Sequence, residues 1–393
     1  MFSGLKQLPD DPILRLGALF DADVRENRVD VGVGVFQDEN GHTAIMRAVK
    51  KAEERVWQQE ESKKYLGLAG NLRFNRAMVD LVLAEAVDST RVQAIQSVAG
   101  TGGLRLVADV LGRIAPEATV WLPNPTWGNH KAIFQAAGLK TQSYSYYDEQ
   151  SAAVAMQALL DDLAQAKPKD IVVLHGCCHN PTGADLSPAQ WQQIAALLKE
   201  RQLMPIVDLA YLGFGQNLDD DAYGVRHLAS VVDYLWVVVS CSKNFGLYRE
   251  RTGVVLTVAP SAQEAELVQS YLAASSRAMV SMPPNHGAEI VGEILTDAAL
   301  SQQWRDELAK MADYIKMRRQ QLALALNQLD GKDWSFITKQ QGMFSVLPLG
   351  EARVQALRED YGVYMVGVGR INFAGLKSET AVSYVAQSIA KVQ

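Results

Sequence analysis

Short apolar runs recur through the middle of the chain, and each has the length of a buried β-strand. Runs that are apolar nearly throughout, without alternation, are typical of strands covered on both faces. The runs are VQAIQSV (92–98), ATVWL (118–122), DIVVLHG (170–176), LMPIVD (203–208), LWVVVS (235–240) and TGVVLTVA (252–259).

Between several of these runs, the apolar positions change to the spacing of an amphipathic helix. Leu104, Val107, Ala108 and Leu111 recur at i, i+3, i+4 and i+7, so they share one helical face. Residues 188–201 repeat this pattern behind a serine that suits an N-cap. The alternation of strands and helices predicts a mostly parallel sheet with helices on both faces.

The C-terminal part of the chain has a different pattern, with long helices and few apolar runs. The predicted pieces are, in order, a helix (301–329), strand-like WSFI (334–337) and MFSVLPL (343–349), a helix ended by glycine (351–362), VYMVGVGRINFAG (363–375) and a final helix. We expect residues 11–43 to join these segments in a second, smaller α+β domain.

Length and charge narrow the class of protein. A chain of 393 residues is too long for one simple core, so two domains are expected. The formal net charge of −6 disfavours nucleic acid and anionic membranes as main partners, since both favour a basic surface. We expect a cytoplasmic protein, because the N-terminus lacks a signal-type apolar core and no apolar run approaches the ~18 residues of a membrane span.

The cysteines also favour a reducing compartment. Cys177, Cys178 and Cys241 are an odd number with two adjacent members, which makes a poor disulfide framework. The segment HGCCH (175–179) suggests a metal site, because it contains two histidines and two thiols. We predict no metal there, since neighbouring side chains diverge in an extended segment and the four could not all face one ion.

Ligands of such sheets bind beyond the carboxyl ends of the strands, and the apolar runs here end in polar or aromatic side chains. The glycines of AGTGGL (99–104) open a helix, where backbone amides can hold an anion. The dinucleotide pattern Gly-x-Gly-x-x-Gly is not met, because position 105 is arginine. The strand-end candidates are Thr101, Trp127, Asn180, Asp208, Tyr211, Ser240, Ser242, Lys243 and Arg251.

Each candidate has an ordinary structural explanation, such as a turn, a helix cap or an exposed lysine. A single cofactor site explains all of them together. It would hold an anion near the glycines and Arg251, a flat ring against Trp127, a basic ring atom at Asp208 and an aldehyde at Lys243. Pyridoxal phosphate has these parts.

Ten motifs extend this interpretation to nearly the whole chain. They are, in order, VGVGVF, KKYLGL, AGTGGLR, NPTWGNH, CCHNPTGAD, DLAYLGF, SKNFGLYRERTG, MPPNHGA, QGMFS and GRINFAG. With them the chain resembles the class I, fold-type I aminotransferases that use pyridoxal phosphate, specifically the aspartate/aromatic amino acid aminotransferase family. The resemblance implies an α/β fold with a mostly parallel seven-stranded sheet in a large cofactor-binding domain (46–309), a small α+β domain (11–45 and 310–393) and an N-terminal arm (1–10).

The resemblance also implies roles in binding the cofactor. Lys243 would bond its aldehyde, Asp208 would pair with its ring nitrogen, and Tyr211 and Asn180 would bond its phenolic oxygen; Lys243, Asp208 and Tyr211 are the implied catalytic residues. The remaining implied cofactor residues are Gly100, Thr101, Gly102, Ser240, Ser242 and Arg251 at the phosphate, Trp127 stacked on the ring, and His130 behind it supporting Asp208. Tyr65 would reach the phosphate of a neighbouring subunit, which implies a homodimer with shared active sites.

For the substrate, the resemblance implies a clamp of two arginines. Arg370 would bind the α-carboxylate bidentately, and Arg277 would reach across the dimer interface to a side-chain carboxylate. The implied substrate contacts are Gly34, Trp127, Asn180, Arg277 and Arg370.

Three positions depart from the pattern common in dicarboxylate-specific members. Met282, Gln37 and Lys64 stand where asparagine, lysine and asparagine are common, and all three positions are near the expected side-chain pocket. The implied activity is transfer of an amino group by a ping-pong mechanism, with glutamate/2-oxoglutarate as one pair and aspartate or an aromatic amino acid as the other. Alternatives are another pyridoxal phosphate reaction on this fold, such as decarboxylation or β-elimination, or a non-catalytic sensor. The two arginines argue against another reaction.

Overall fold

A computed structural model describes residues 2–7 and 12–393. Residues 1 and 8–10 of the predicted N-terminal arm, and residue 11, lie outside the described residues. The strands are β1 (Val29–Asp30), β2 (Val92–Val98), β3 (Thr119–Asn124), β4 (Lys140–Ser145), β5 (Tyr147–Asp148), β6 (Ala153–Val154), β7 (Ile171–His175), β8 (Met204–Leu209), β9 (Leu235–Ser240), β10 (Thr252–Val258), β11 (Phe344–Val346), β12 (Val363–Tyr364) and β13 (Arg370–Asn372).

Helices alternate with these strands. They are α1 (Pro12–Ala22), α2 (Arg47–Gln59), α3 (Leu72–Leu83), α4 (Ala99–Ile114), α5 (His130–Ala136), α6 (Met156–Leu163), α7 (Pro188–Glu200), α8 (Leu218–Val231), α9 (Ala262–Val280), α10 (His286–Thr296), α11 (Ala298–Asp330), α12 (Phe336–Lys339), α13 (Glu351–Tyr361) and α14 (Glu379–Val392). None of the helices in the described ranges is both long and apolar enough to cross a bilayer.

The chain divides into two compact units. The larger comprises Ala44–Asp313 and Gln340–Gly342. The smaller comprises the described residues up to Thr43 together with Tyr314–Lys339 and Met343–Gln393. The division falls within α11, after Asp313.

The larger unit contains a seven-stranded sheet in the order β2-β10-β9-β8-β7-β3-β4. Only β10 is antiparallel to its neighbours β2 and β9, and the other pairs are parallel. Residues 241–251 are too short a connection for a parallel crossover, so β10 must return antiparallel to β9. The predicted α/β fold with a mostly parallel seven-stranded sheet is confirmed, and all six apolar runs form strands of this sheet.

The apolar pattern does not predict the seventh strand, β4. Its sequence KTQSYS is largely polar, and three of its six residues are exposed. It lies at the edge of the sheet, where it pairs only with β3. An edge strand needs no continuous apolar run, because one side of it faces solvent.

Helix α4 packs against the sheet through the face predicted from its sequence. Leu104, Val107, Ala108 and Leu111 are fully buried in one core cluster with strand residues of β2, β3, β7, β8, β9 and β10. Burying a leucine or valine side chain contributes about 1.5–3 kcal/mol, so this face fixes the helix on the sheet. A Cβ atom at Gly103 would lie 2.6 Å from a methyl group of Val238, so glycine permits this close approach.

The smaller unit contains two short sheets, β1 with β12 and β11 with β13. The predicted helix 351–362 is α13, and Gly362 ends it in the left-handed conformation. The prediction of a strand at WSFI is wrong, because Trp334 begins a turn that leads into α12. Side chains stabilise this turn locally: the Trp334 N–H donates to Asn327 Oδ1, and the Ser335 N–H donates to Asp333 Oδ1.

Candidate active site

A cavity of about 170 Å³ lies at the carboxyl edge of the sheet in the larger unit. Parallel strands end at the same edge, so residues that follow different strands meet there. The lining residues are Gly100, Thr101, Trp127, His175, Asn180, Asp208, Ala210, Tyr211, Ser240, Ser242, Lys243 and Arg251. The fold thus brings together residues that are up to about 150 positions apart in the sequence.

One end of the cavity is rich in hydrogen-bond donors. The segment AGTGGL opens a helix, as predicted, and α4 begins at its first residue, Ala99. The first N–H groups of a helix have no partner within the helix, so they are available to an anion. Opposite them, the Ser240 and Ser242 hydroxyls lie 3.0 Å apart, and Arg251 Nη1 lies 3.4 Å from Ser242 Oγ. These groups together suit a phosphate.

The other end contains Asp208, the last but one residue of β8. His130 Nε2 lies 3.1 Å from Asp208 Oδ2. Behind it, the Thr126 hydroxyl lies 2.7 Å from His130 Nδ1 and 3.1 Å from His175 Nε2. If an ionised Asp208 accepts from His130 Nε2–H, then Nδ1 accepts from Thr126, and the Thr126 oxygen accepts from His175. The chain of hydrogen bonds therefore fixes one set of tautomers.

The charge of Asp208 is stabilised although it is buried. Burial raises the pKa of Asp208. The hydrogen bond from His130 and the charges of His130, His175 and Lys243 lower it by more than burial raises it, so the pKa is below its usual value. A buried carboxylate that stays ionised can hold a proton on a basic ring nitrogen.

Lys243 lies in the turn after β9, with Nζ 4.9 Å from the centroid of the Tyr211 ring. Burial lowers the pKa of Lys243, Arg251 lowers it further, and Asp208 opposes both. The amine is therefore more readily neutral than that of an exposed lysine, and a neutral amine is a nucleophile and a base.

Asn180 is positioned by the turn that follows β7. The Cys178 and His179 N–H groups donate to the two carboxylate oxygens of Asp185, at 2.7 and 2.8 Å. This pair of hydrogen bonds holds the turn, and Asn180 is buried at its end with a cis bond to Pro181.

The predicted site residues do not all line the cavity. Gly102 lies in the first turn of α4, and buried His130 lies behind Asp208. Tyr65 is 88% exposed, and Arg277 is exposed near the end of α9. Gly34 and Arg370 belong to the smaller unit, where Arg370 Nη2 donates to the Gly32 carbonyl at 2.9 Å.

Sequence reasoning missed three residues at or behind the cavity. Ala210 lines it between Asp208 and Tyr211, and His175 lines it at the end of β7. Thr126 connects the two histidines. His175 carries a usable signal, since it ends an apolar strand, but the HGCCH pattern suggests only a metal ligand there. Thr126 carries no signal in the sequence pattern, because what marks it is its contacts with His130 and His175.

The expectation that the HGCCH segment is extended is wrong, because the chain turns after His175. Cys178 has a positive φ of 52°, and the chain turns there. The His175 and His179 rings lie together, with centroids 4.2 Å apart, whereas the two thiols lie near Asp221. All three cysteines are buried and reduced.

We expect the stability of the protein to fall as the pH drops below about 6.5, partly through His179. Burial lowers the pKa of His179 to about 3. Between these values the unfolded chain binds a proton that the folded chain does not, so unfolding is favoured by up to about 1.4 kcal/mol per pH unit. His179→Phe keeps the stacking on Tyr146 and removes this titration, so the difference in unfolding free energy between pH 7 and pH 5 should shrink.

Urea unfolding at both pH values measures this difference. His42→Phe is the matched control, because it makes the same substitution at an exposed histidine. An equal dependence in wild type and His179→Phe would contradict the assignment to this ring.

Comparison with known proteins identifies the family. The model of the family described as aminotransferase class I and II matches residues 26–389. A tyrosine aminotransferase of Rhizobium meliloti is 46% identical over 381 residues, covering 97% of each chain. An aspartate aminotransferase of Haemophilus influenzae is 42% identical over the full length of both chains.

A solved structure agrees with these relatives. The aromatic-amino-acid aminotransferase of Burkholderia pseudomallei, crystallised covalently bound to pyridoxal phosphate, has a TM-score of 0.97 and 39% identity, covering 100% of this chain and 99% of its own. The resemblance predicted from the motifs is therefore confirmed. The chain belongs to the class I and II aminotransferase family, and it is an enzyme of the transaminase type.

Proposed function

We propose that the chain uses pyridoxal phosphate to move an amino group between an L-amino acid and a 2-oxo acid. Glutamate/2-oxoglutarate is one pair, and aspartate or an aromatic amino acid with its oxo acid is the other. The observation that carries the proposal is a single cavity that contains an amine of lowered pKa, an ionised buried carboxylate and a cluster of anion donors.

The residues present fit pyridoxal phosphate. The first turn of α4 with Ser240, Ser242 and Arg251 would hold the phosphate, and Asp208 would hold the ring nitrogen. Trp127 would contact the ring face, while Asn180 and Tyr211 would bond the phenolic oxygen. Bound there, the cofactor supplies an aldehyde that condenses with amines and a protonated ring that withdraws electrons.

The chain's own residues then divide the work. The Lys243 amine takes the proton from the substrate Cα, because its lowered pKa keeps a useful fraction of the amine neutral. Asp208 holds a proton on the ring nitrogen, and His130 holds the Asp208 carboxylate in place. Tyr211 is buried beside Lys243 and limits the positions of the amine.

Arg370 is proposed to bind the substrate α-carboxylate, as the resemblance implies. Its guanidinium lies in β13, 4.6 Å from the centroid of the Phe344 ring, so its orientation is restricted. We expect Arg370→Lys to lower kcat/KM for glutamate about 100-fold, because lysine keeps the charge but cannot make the planar, bidentate contact. Steady-state kinetics measures this loss.

Arg353→Lys is the matched control, since Arg353 lies on α13 in the same unit and is not assigned to the site. Equal kcat/KM values for wild type and Arg370→Lys would contradict a bidentate contact.

The second substrate pair is proposed from the departures in the side-chain pocket. Met282 is soft and apolar, and its sulfur accepts the Leu66 N–H at 2.9 Å. Arg277 retains a partner for a dicarboxylate, while Gln37 and Lys64 differ from the dicarboxylate-specific pattern. The names of the relatives, tyrosine and aspartate aminotransferase, support both kinds of substrate.

A survey of half-reactions tests the function. The holoenzyme is mixed separately with glutamate, aspartate, tyrosine, phenylalanine, tryptophan and arginine, and the loss of the bound cofactor's visible absorbance is followed. Glutamate and at least one of the others should produce the oxo acid and the aminated cofactor. Release of CO₂ or of a β-substituent instead of an oxo acid would contradict the proposal and would indicate decarboxylation or β-elimination.

A cytoplasmic homodimer with shared sites is also proposed. Trp57, Tyr65 and Leu72 are large side chains that are 79%, 88% and 71% exposed within a short stretch of sequence. Large exposed apolar side chains are typical of a surface that another protein covers. Tyr65 would then reach the phosphate of the second subunit, and sedimentation of the wild-type protein would show whether it is dimeric.

A further inference from the structure

A second group of side chains that could bind a metal ion lies outside the proposed active site. Cys177 and Cys178 follow β7, and Asp221 lies on α8. The two sulfur atoms and a carboxylate oxygen of Asp221 all lie within 4.8 Å of one another, and all three residues are buried. None of the three lines the active-site cavity.

A separate cavity of about 380 Å³ leads to this group. Its walls carry three carboxylates, those of Asp185, Asp220 and Asp221, and the residues that line it include no lysine, arginine or histidine. Cys177 also lines the cavity. A concave surface whose charged side chains are all negative attracts cations.

Asp221 is held in place and retains room for a ligand. Its Oδ2 accepts the Gly213 and Gly215 N–H groups at 2.8 and 2.9 Å, and its Oδ1 accepts the Gln216 N–H at 2.8 Å. Because each carboxylate oxygen offers two lone pairs, one lone pair on Oδ1 remains.

We propose that Cys177, Cys178 and Asp221 form a binding site for one soft, thiophilic metal ion such as Cd²⁺ or Cu⁺. Two sulfur ligands and one oxygen ligand select such ions, whereas Mg²⁺ and Ca²⁺ favour sites made only of oxygens. Binding converts both thiols to thiolates and releases two protons, and no electron is transferred.

Metal binding at this site should affect the active site through two contacts. The Cys178 thiol donates to the Tyr211 carbonyl at 3.8 Å, and metal binding removes that donor. The same turn also positions Asn180. We therefore expect the bound ion to lower turnover; this consequence rests on the proposed function, whereas the binding itself does not.

Titration of the holoenzyme with Cd²⁺ tests the site. Bound Cd²⁺ is measured by equilibrium dialysis, and the thiolate-to-cadmium charge-transfer absorbance is recorded in parallel. We expect one equivalent to bind, and Cys177→Ser or Cys178→Ser to weaken binding at least about 100-fold. Cys241→Ser is the matched control, because Cys241 is equally buried but lies after β9, and it should bind as wild type does.

Alkylation of the wild-type protein covers the case in which a variant fails to fold. After incubation with or without Cd²⁺, the folded protein is exposed to iodoacetamide for a fixed time, the reagent is quenched, and the labelled cysteines are located by peptide mapping. Cd²⁺ should protect Cys177 and Cys178 but not Cys241. Unchanged binding in Cys177→Ser, labelling of Cys177 and Cys178 that Cd²⁺ does not slow, or an absence of charge-transfer absorbance at one equivalent would overturn the site, whatever the outcome of the half-reaction survey.

Discussion

Lys243→Ala is expected to lower kcat at least about 10⁴-fold. Under the proposed function, the substitution removes the amine that would bond the cofactor and the base that would move the substrate proton. No second amine can replace it, because the described residues that line the cavity include no other lysine, and the guanidinium of Arg251 is not an amine that condenses with an aldehyde. Reductive trapping with borohydride, followed by peptide mapping, should place the cofactor label on position 243 in wild type and remove it in the variant.

Lys199→Ala provides the matched control for this experiment. Lys199 is an exposed lysine in the last turn of α7, so its loss should leave kcat within about twofold. Turnover by Lys243→Ala at a tenth of the wild-type rate or faster would remove Lys243 from the mechanism.

Asp208→Asn is expected to lower kcat about 10²- to 10³-fold with a smaller effect on cofactor binding. The amide has nearly the shape of the carboxylate but carries no charge, so under the proposed function the ring nitrogen would lose the partner that keeps it protonated. His130 also loses a charged hydrogen-bond acceptor, because its Nε2 lies 3.1 Å from Asp208 Oδ2. Stopped-flow rates of the glutamate half-reaction separate this loss of chemistry from a loss of cofactor.

Asp109→Asn is the matched control, since Asp109 is a partly buried surface carboxylate that pairs with Arg105 at 2.8 Å. Its rate should equal that of wild type, because an isolated surface ion pair contributes about 1 kcal/mol or less. A full rate in Asp208→Asn, with the cofactor bound, would show that the carboxylate has no role in withdrawing electrons.

The apolar pattern alone determined most of the large sheet. A strand buried on both faces must be apolar along its whole length, so β7 and β9 could be placed to within a residue. Parallel strands also end at one edge, so the sequence alone predicts that Asp208 and Lys243 lie close together.

The tertiary structure decided what depends on contacts between residues distant in sequence. The polar strand β4 exists because β3 offers it an edge, and Thr126 matters because the fold places it between His130 and His175. The separation of the histidines from the thiols in HGCCH depends on the turn at Cys178, which Asp185 stabilises from seven residues away. Hydrophobic periodicity reports only which side of an element is buried; hydrogen-bond partners are chosen by the packing of the whole chain.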